Sequence, residues 1–278
     1  MKITKDELKN CHQSAKKTAS LGNLNLFKKV RSSYLGSVIS NNTGNSIEFH
    51  DQRSYYIGDD PRYINWNAYA RTDQLIMKIF KDERAPMLDL VLDLSNSMFY
   101  DQEKRLKFFE LIYVTLEESL KFNASVRIYA ISSNGLELIN HKQLLSYKLD
   151  IRLGSGINLN ILNEVPLRYG STRILISDLL DFIDPSIVLK KLVNYSGSVH
   201  IWAPFTPLEN DLSGVSGIVE FLDAESNNKI KVNIGDDQLK LYSERYSNYM
   251  KLWNDLSIKY KINLKRFNTS NELMRSFY

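Results

Sequence analysis

Four short apolar runs constrain this chain more than any other feature. They are MLDLVLDL at 87–94, SVRIYAIS at 125–132, RILISDLL at 173–180 and SVHIWAPF at 198–205. Each has strand length and is nearly continuous in apolar residues, the pattern of strands buried on both faces. Between the first two lies QEKRLKFFELIYVTLEESLKF, 102–122, where Leu106, Phe109, Leu111, Ile112, Leu116 and Leu120 make a broad apolar helix face. A second helix is predicted from Pro185 to about Tyr195, helical turns at 158–165, and a short strand at 136–140. Strand, helix and strand in repetition predict a central parallel sheet flanked by helices.

The flanks read differently. Residues 5–20 predict a helix and 23–32 a second one. The stretch 33–60 is punctuated by Gly36, Gly44 and Gly58, as loops and short β pieces are. Residues 61–71 suit a short helix or turn, with Pro61 early in it, and LIMKIF (75–80) suits a strand. After the α/β rhythm, 217–234 predicts a hairpin around ESNNK, 237–260 a long helix, INLKRF a strand, and a short helix follows. The expected division is an N-terminal helical and short-strand region at 1–85 and an α/β domain at 86–278 that includes the hairpin and long helix. A chain of 278 residues is long enough for both.

Charge and cysteine usage narrow the function classes. The net charge is +4, weak grounds for a nucleic-acid partner. The basic excess lies at the front, in Lys2, Lys5, Lys9, Lys16, Lys17, Lys28, Lys29 and Arg31 against Asp6 and Glu7. It reads as a solvated helix face, or alternatively as a surface for nucleic acid or an anionic membrane. The single Cys11 rules out an intrachain disulfide and, spaced with Leu8 and Ala15, is expected to be a small core residue. No early apolar run reads as a signal peptide and no segment reaches the length of a membrane span, so a cytoplasmic protein without a transmembrane segment is expected.

The sharpest local cluster is VLDLSNSM. Asp93, Ser95 and Ser97 place three side-chain oxygens at alternate positions between an apolar strand and a long helix. Open α/β sheets bind their ligands at such strand ends. Carboxylate and hydroxyl oxygens suit a hard cation such as magnesium. Asp178, at the end of a later strand, is expected at the same edge, with Asp181 one turn further on. The same residue types are also favoured simply as helix caps and turn formers, and spacing alone leaves both readings open.

DLSNSM with the later LISDLLD resembles the metal-ion-dependent adhesion site of von Willebrand factor A domains. The segment GNSIEFHDQRSYYIGDDPRYINWNAYARTDQLIMKIFKDE is similar to the signature of the bacterial domain-of-unknown-function 58 family, DUF58. The matching positions are Glu48, Phe49, Arg53, Gly58, Asp59, Asp60, Arg62, Ile64, Trp66, Ala70, Arg71, Lys78 and Glu83. The resemblance implies a von Willebrand factor A-like α/β fold. It also implies a partnership with a MoxR-type AAA+ ATPase in chaperone-like maturation or assembly, or in metal insertion. By the same resemblance Asp93, Ser95, Ser97 and Asp178 would hold Mg2+ or another divalent cation. One position departs from the pattern: Ile157 stands where a Thr ligand is expected, with Ser155 two residues earlier. Ile donates no oxygen, so the site is incomplete.

Arg53, Arg62 and Arg71, with Asp59, Asp60 and Asp73 nearby, suit bidentate ion pairs fastening this segment to the α/β domain, or a surface shown to a partner. Trp66 is expected to anchor in a pocket of the same protein. The four histidines, His12, His50, His141 and His200, have no metal-binding spacing, and LGSGIN lacks the Lys of a phosphate loop. A nucleophilic Ser95 or Ser97 would need a base that the sequence does not supply. A non-catalytic protein-binding module is therefore the leading expectation, with no specific nucleic-acid partner. A metal-assisted hydrolase using the same carboxylates is the competing one.

Overall fold

The computed structural model describes residues 3–22, 24–27, 47–82, 85–132, 134–147, 159–181 and 183–277. Contacts group Met1–Phe27 with Pro86–Tyr278 in one unit and leave Lys28–Ala85 as another. The first helix, α1 (Lys5–Leu21), therefore lies with the α/β unit and apart from the rest of 1–85. Its stripe of Leu8, Cys11, Ala15 and Ala19 is the reason: all four are buried in the main core. Cys11 is the core residue expected, and burial pushes its thiol up to about 12, well out of reactive range. Of the helix expected near 23–32, residues 24–27 are described and are not helical. The Leu26 carbonyl instead accepts the hydroxyls of Thr172 at 3.1 Å and Ser198 at 3.2 Å, which holds this stretch as a strap. Residues 28–32 lie outside the described residues.

The smaller unit is a hairpin of β1 (Ile47–Ser54) and, beyond α2 (Trp66–Thr72), β2 (Ile76–Asp82), paired antiparallel. Pro61 opens a 3-10 turn there, Pro61–Tyr63, as its fixed φ allows.

The larger unit continues with β3 (Met87–Asp93), α3 (Ser97–Tyr100), α4 (Gln102–Lys121), β4 (Ser125–Ser132), β5 (Gly135–Ile139) and α5 (His141–Leu145). Then come β6 (Thr172–Ile176), α6 (Pro185–Val193), β7 (Val199–Phe205) and α7 (Pro207–Asn210). It closes with β8 (Gly217–Leu222), β9 (Lys229–Ile234), α8 (Asp236–Lys259), β10 (Asn263–Asn268) and α9 (Leu273–Phe277). Six strands form one sheet in the order β5-β4-β3-β6-β7-β10, parallel except for the edge strand β5. The chain leaves β3 toward β4 and β5, then returns to the other side of β3 to lay down β6, β7 and β10. This is the doubly wound 3-2-1-4-5-6 order, with its switch point between β3 and β6.

Side-chain alternation assigns the two faces. Leu88, Leu90 and Leu92 of β3, Ile174 and Ile176 of β6 and Trp202 of β7 share a core with α1 and α4. Val91, Leu175, Ile201 and Ala203 share the other with α6 and Trp253 of α8. Because α1 covers α4, that helix is buried nearly all round, polar residues included.

One expected element ends early for a local reason. The run 173–180 is strand only to Ile176, because Leu179 takes a φ of 62° and turns the chain out of the sheet. The turns expected at 158–165 are a 3-10 helix, Leu159–Glu164. The hairpin β8–β9 and the long helix α8 lie where the sequence places them. Among the described residues no helix is long and apolar enough to cross a membrane.

The start of α4 matters for the site. Asp101 caps it, accepting the Lys104 N–H at 2.8 Å. Asp101→Ala is expected to lower stability by about 1 kcal/mol, the usual cost of losing an N-cap. A urea titration with unchanged slope and a shifted midpoint would report it.

Candidate functional site at the carboxyl rim

At the switch point β3 ends in Asp93 and the chain turns immediately into α3. The turn is built by the carboxylate itself. Asp93 Oδ1 accepts the Ser95 N–H at 2.9 Å and Asp93 Oδ2 accepts the Ser177 hydroxyl at 2.6 Å. The Ser95 and Ser97 hydroxyls lie 3.0 Å apart and bond each other. Asp178 follows β6, and its Oδ1 accepts the Leu180 N–H at 3.1 Å. Asp93, Ser95 and Asp178 are all buried. The structure thus brings Asp93, Ser95, Ser97 and Asp178 together at one rim. It also gives Asp93 the turn-forming role that the capping reading requires. Burial first, and then the charge of Asp178, push the Asp93 carboxyl up to about 6, against the hydrogen bonds from Ser177 and Ser95.

The rim contains a cation of its own. Lys104, on the first turn of α4, is fully buried, and its ammonium donates to Asp178 Oδ2 at 2.7 Å and to Glu209 Oε1 at 2.7 Å. Burial works against its charge, but the two carboxylates outweigh burial and hold the ammonium above its ordinary range. Glu209 is fixed in turn by a capping box with Thr206 at the start of α7, and the Tyr242 hydroxyl donates to its backbone carbonyl at 2.7 Å. A second carboxylate arrives from the β8–β9 turn. Glu225 Oε1 accepts the Ser97 N–H at 2.9 Å and Oε2 the Asn96 N–H at 3.3 Å.

Sequence reasoning missed Lys104, Ser177, Glu209 and Glu225. Lys104 left a signal: with Phe108, Leu111 and Thr115 it lies on a buried stripe of α4, where a lysine is out of place unless paired. Glu209 left only the Thr-x-x-Glu spacing of a helix start, which says nothing of the rim, and Glu225 left no local signal. Asp181, expected near the rim, instead accepts the Leu159 N–H at 2.7 Å through Oδ2 and the Tyr249 hydroxyl through its carbonyl. Ile157 and Ser155 lie outside the described residues.

A divalent ion needs several oxygen lone pairs turned to one point. Both oxygens of Asp93 and both of Asp178 are engaged by protein hydrogens, and the positive charge beside Asp178 is the Lys104 ammonium. Among the described residues no group of three or more His, Cys, Asp or Glu is placed to hold a metal. As arranged, the described residues of the rim do not fit a divalent ion.

The signature residues of the smaller unit make local pairs. Arg53 grips Asp59 bidentately at 2.7 and 2.8 Å and holds that carboxyl below its usual range. Arg62 grips Asp60 likewise, with the same effect. Both arginines thus find these partners within a few residues, where the sequence reading expected pairs fastening the segment to the α/β domain. Arg71 is exposed in the last turn of α2. Trp66 is 57% exposed and meets Tyr69 edge-on, so it is not the buried anchor expected. It opens a seven-residue helix in which no residue is buried.

The model of the family described as Protein of unknown function DUF58 matches residues 51–135. No curated protein matches the chain. Among solved structures, the crystal structure of conserved hypothetical protein BatB from Bacteroides thetaiotaomicron is similar over 68% of this chain and 94% of its own, at 15% identity and a TM-score of 0.37. That likeness is too distant to add to the fold read from the strand order. Residues 51–135 thus match the DUF58 family model, and the chain that carries them has a doubly wound α/β fold, a six-stranded, mostly parallel sheet flanked by helices.

Proposed function

We propose that the chain is a non-catalytic protein-binding module that presents the carboxyl rim of its sheet to a partner, an AAA+ ATPase of the MoxR kind or a client of one. The observation that carries the binding reading is the convergence of Asp93, Ser95, Ser97 and Asp178 at the switch point, where doubly wound sheets receive their ligands. The partner class rests on the DUF58 resemblance alone. The non-catalytic reading is supported by where the hydroxyls point: Ser95 and Ser97 bond each other and Ser177 donates to Asp93. His12 of α1 is engaged by Glu117 at 2.6 Å and Tyr147 at 2.7 Å.

The test is co-purification of a MoxR-type ATPase with the full chain. Asp93→Asn combined with Ser97→Ala is expected to weaken the association about tenfold, some 1.4 kcal/mol, while circular dichroism stays native. Undiminished association in a folded double variant would refute the assignment of the rim.

A further inference from the structure

The DUF58 and adhesion-site resemblance leads to a divalent cation at the rim, and the side chains there are arranged for something else. We infer that the Lys104 ammonium is the resident cation of this rim, and that the rim is built and works without a divalent ion.

Three observations carry this. The first is charge balance. Lys104 Nζ lies 2.7 Å from Asp178 and 2.7 Å from Glu209, with the lysine side chain wholly buried. A divalent ion bonded to Asp178 would sit within a few ångströms of that ammonium, like charge against like charge, with little water between them. The second is donor occupancy. A metal-ligating carboxylate turns lone pairs to the ion, whereas Asp93 accepts from Ser95 and Ser177, and Asp178 from Leu180 and Lys104. The serine hydroxyls that would complete the set close on each other at 3.0 Å. The third is the outer face of the turn. The Glu225 carboxylate already sits on the N–H groups of Asn96 and Ser97, so it covers the serine turn from the hairpin side.

A lysine tethered to α4 differs from an ion in two functional respects: it cannot leave, and it opens no coordination position for a partner's acidic side chain to fill. Recognition at this rim is then made by side chains and backbone alone. This rests on the rim being the binding surface only for its consequence; the assignment of Lys104 itself is tested on the chain without any partner.

Manganese titration of the full chain, followed by electron paramagnetic resonance and by thermal unfolding with magnesium or manganese, is the direct experiment. The wild-type chain is expected to hold no manganese tighter than roughly 1 mM and to show no cation-dependent rise in Tm. Lys104→Gln removes the ammonium and leaves Asp178, Glu209 and Asp93 to attract a cation. It is expected to gain manganese affinity by about tenfold or more, with a matching rise in Tm. One manganese bound by the wild type at roughly 0.1 mM or below, and lost in Asp93→Asn, would overturn the inference. So would a folded Lys104→Gln chain that binds manganese no better than wild type. The wild-type titration decides the matter even if Lys104→Gln does not fold. If ATPase association proves independent of the rim, the titration is unaffected, so the two readings fail separately.

Discussion

Lys104→Met is expected to cost about 3–5 kcal/mol, the penalty for stranding buried charges when one partner of an ion pair is removed. The methionine fills most of the space of the lysine stem, so packing changes little and the loss reports the charge. Two carboxylates are stranded: Asp178, 3% exposed, and Glu209, 24% exposed. Because Asp178 is the more deeply buried, most of the penalty falls on it. A corollary follows from the same physics. Adding Asp178→Asn to Lys104→Met is expected to restore a large part of the loss, since a neutral amide is far cheaper to bury than an unpaired carboxylate. Urea denaturation of the wild type, the single and the double variant measures both. A loss below about 1 kcal/mol for Lys104→Met would mean the pair behaves as a surface one and the rim has no buried cation.

What the sequence revealed and what it hid follow one physical division. Elements with strong period were legible: 125–132 is β4, 217–234 the β8–β9 hairpin, and 102–122 is α4 to within a residue. The site residues on strand ends, Asp93, Ser95, Ser97 and Asp178, were legible for the same reason, since a parallel sheet brings all its carboxyl ends to one edge. Residues that reach the rim from loops were not. Glu209 depends on a capping box at the entry to α7, and Glu225 on the turn of a hairpin packed outside the sheet. Neither placement is encoded in a local pattern. The strap at Leu24–Phe27 was misread for a related reason: Asn25 takes a φ of 52°, and the hydroxyls of Thr172 and Ser198 capture the Leu26 carbonyl. The small unit shows the limit for side chains. The spacing of Arg53 and Arg62 pointed to ion pairs, yet the acids they grip, Asp59 and Asp60, are near neighbours, because a bidentate pair closes most easily over a short turn.

Asp93→Asn is expected to stabilise the chain near pH 7.5, by something of the order of 1–3 kcal/mol, and to give no gain near pH 4. The sign follows from the direction of the shift. The Asp93 carboxyl titrates at about 6 when folded and near 3.8 in the reference state, raised by burial and by Asp178. Between those values the folded chain keeps a proton that the unfolded chain has released. Stability contributed by this group is therefore largest at acidic pH, falls as pH rises through that window, and is gone above it. An amide carries no charge to bury, so the variant escapes the penalty that the carboxylate meets at neutral pH. Its oxygen still accepts the Ser95 N–H, and its amide nitrogen can donate to Ser177 in place of the bond that Ser177 now donates. Urea midpoints at the two pH values, on wild type and variant, measure the difference. If the variant is instead the less stable chain at pH 7.5, a positive charge must reach Asp93 as well as Asp178. That outcome would count against Lys104 alone balancing the rim. A chain that gains stability on losing this carboxylate while also losing its partner would show that Asp93 is kept ionised at a cost to the fold, as strained functional sites are.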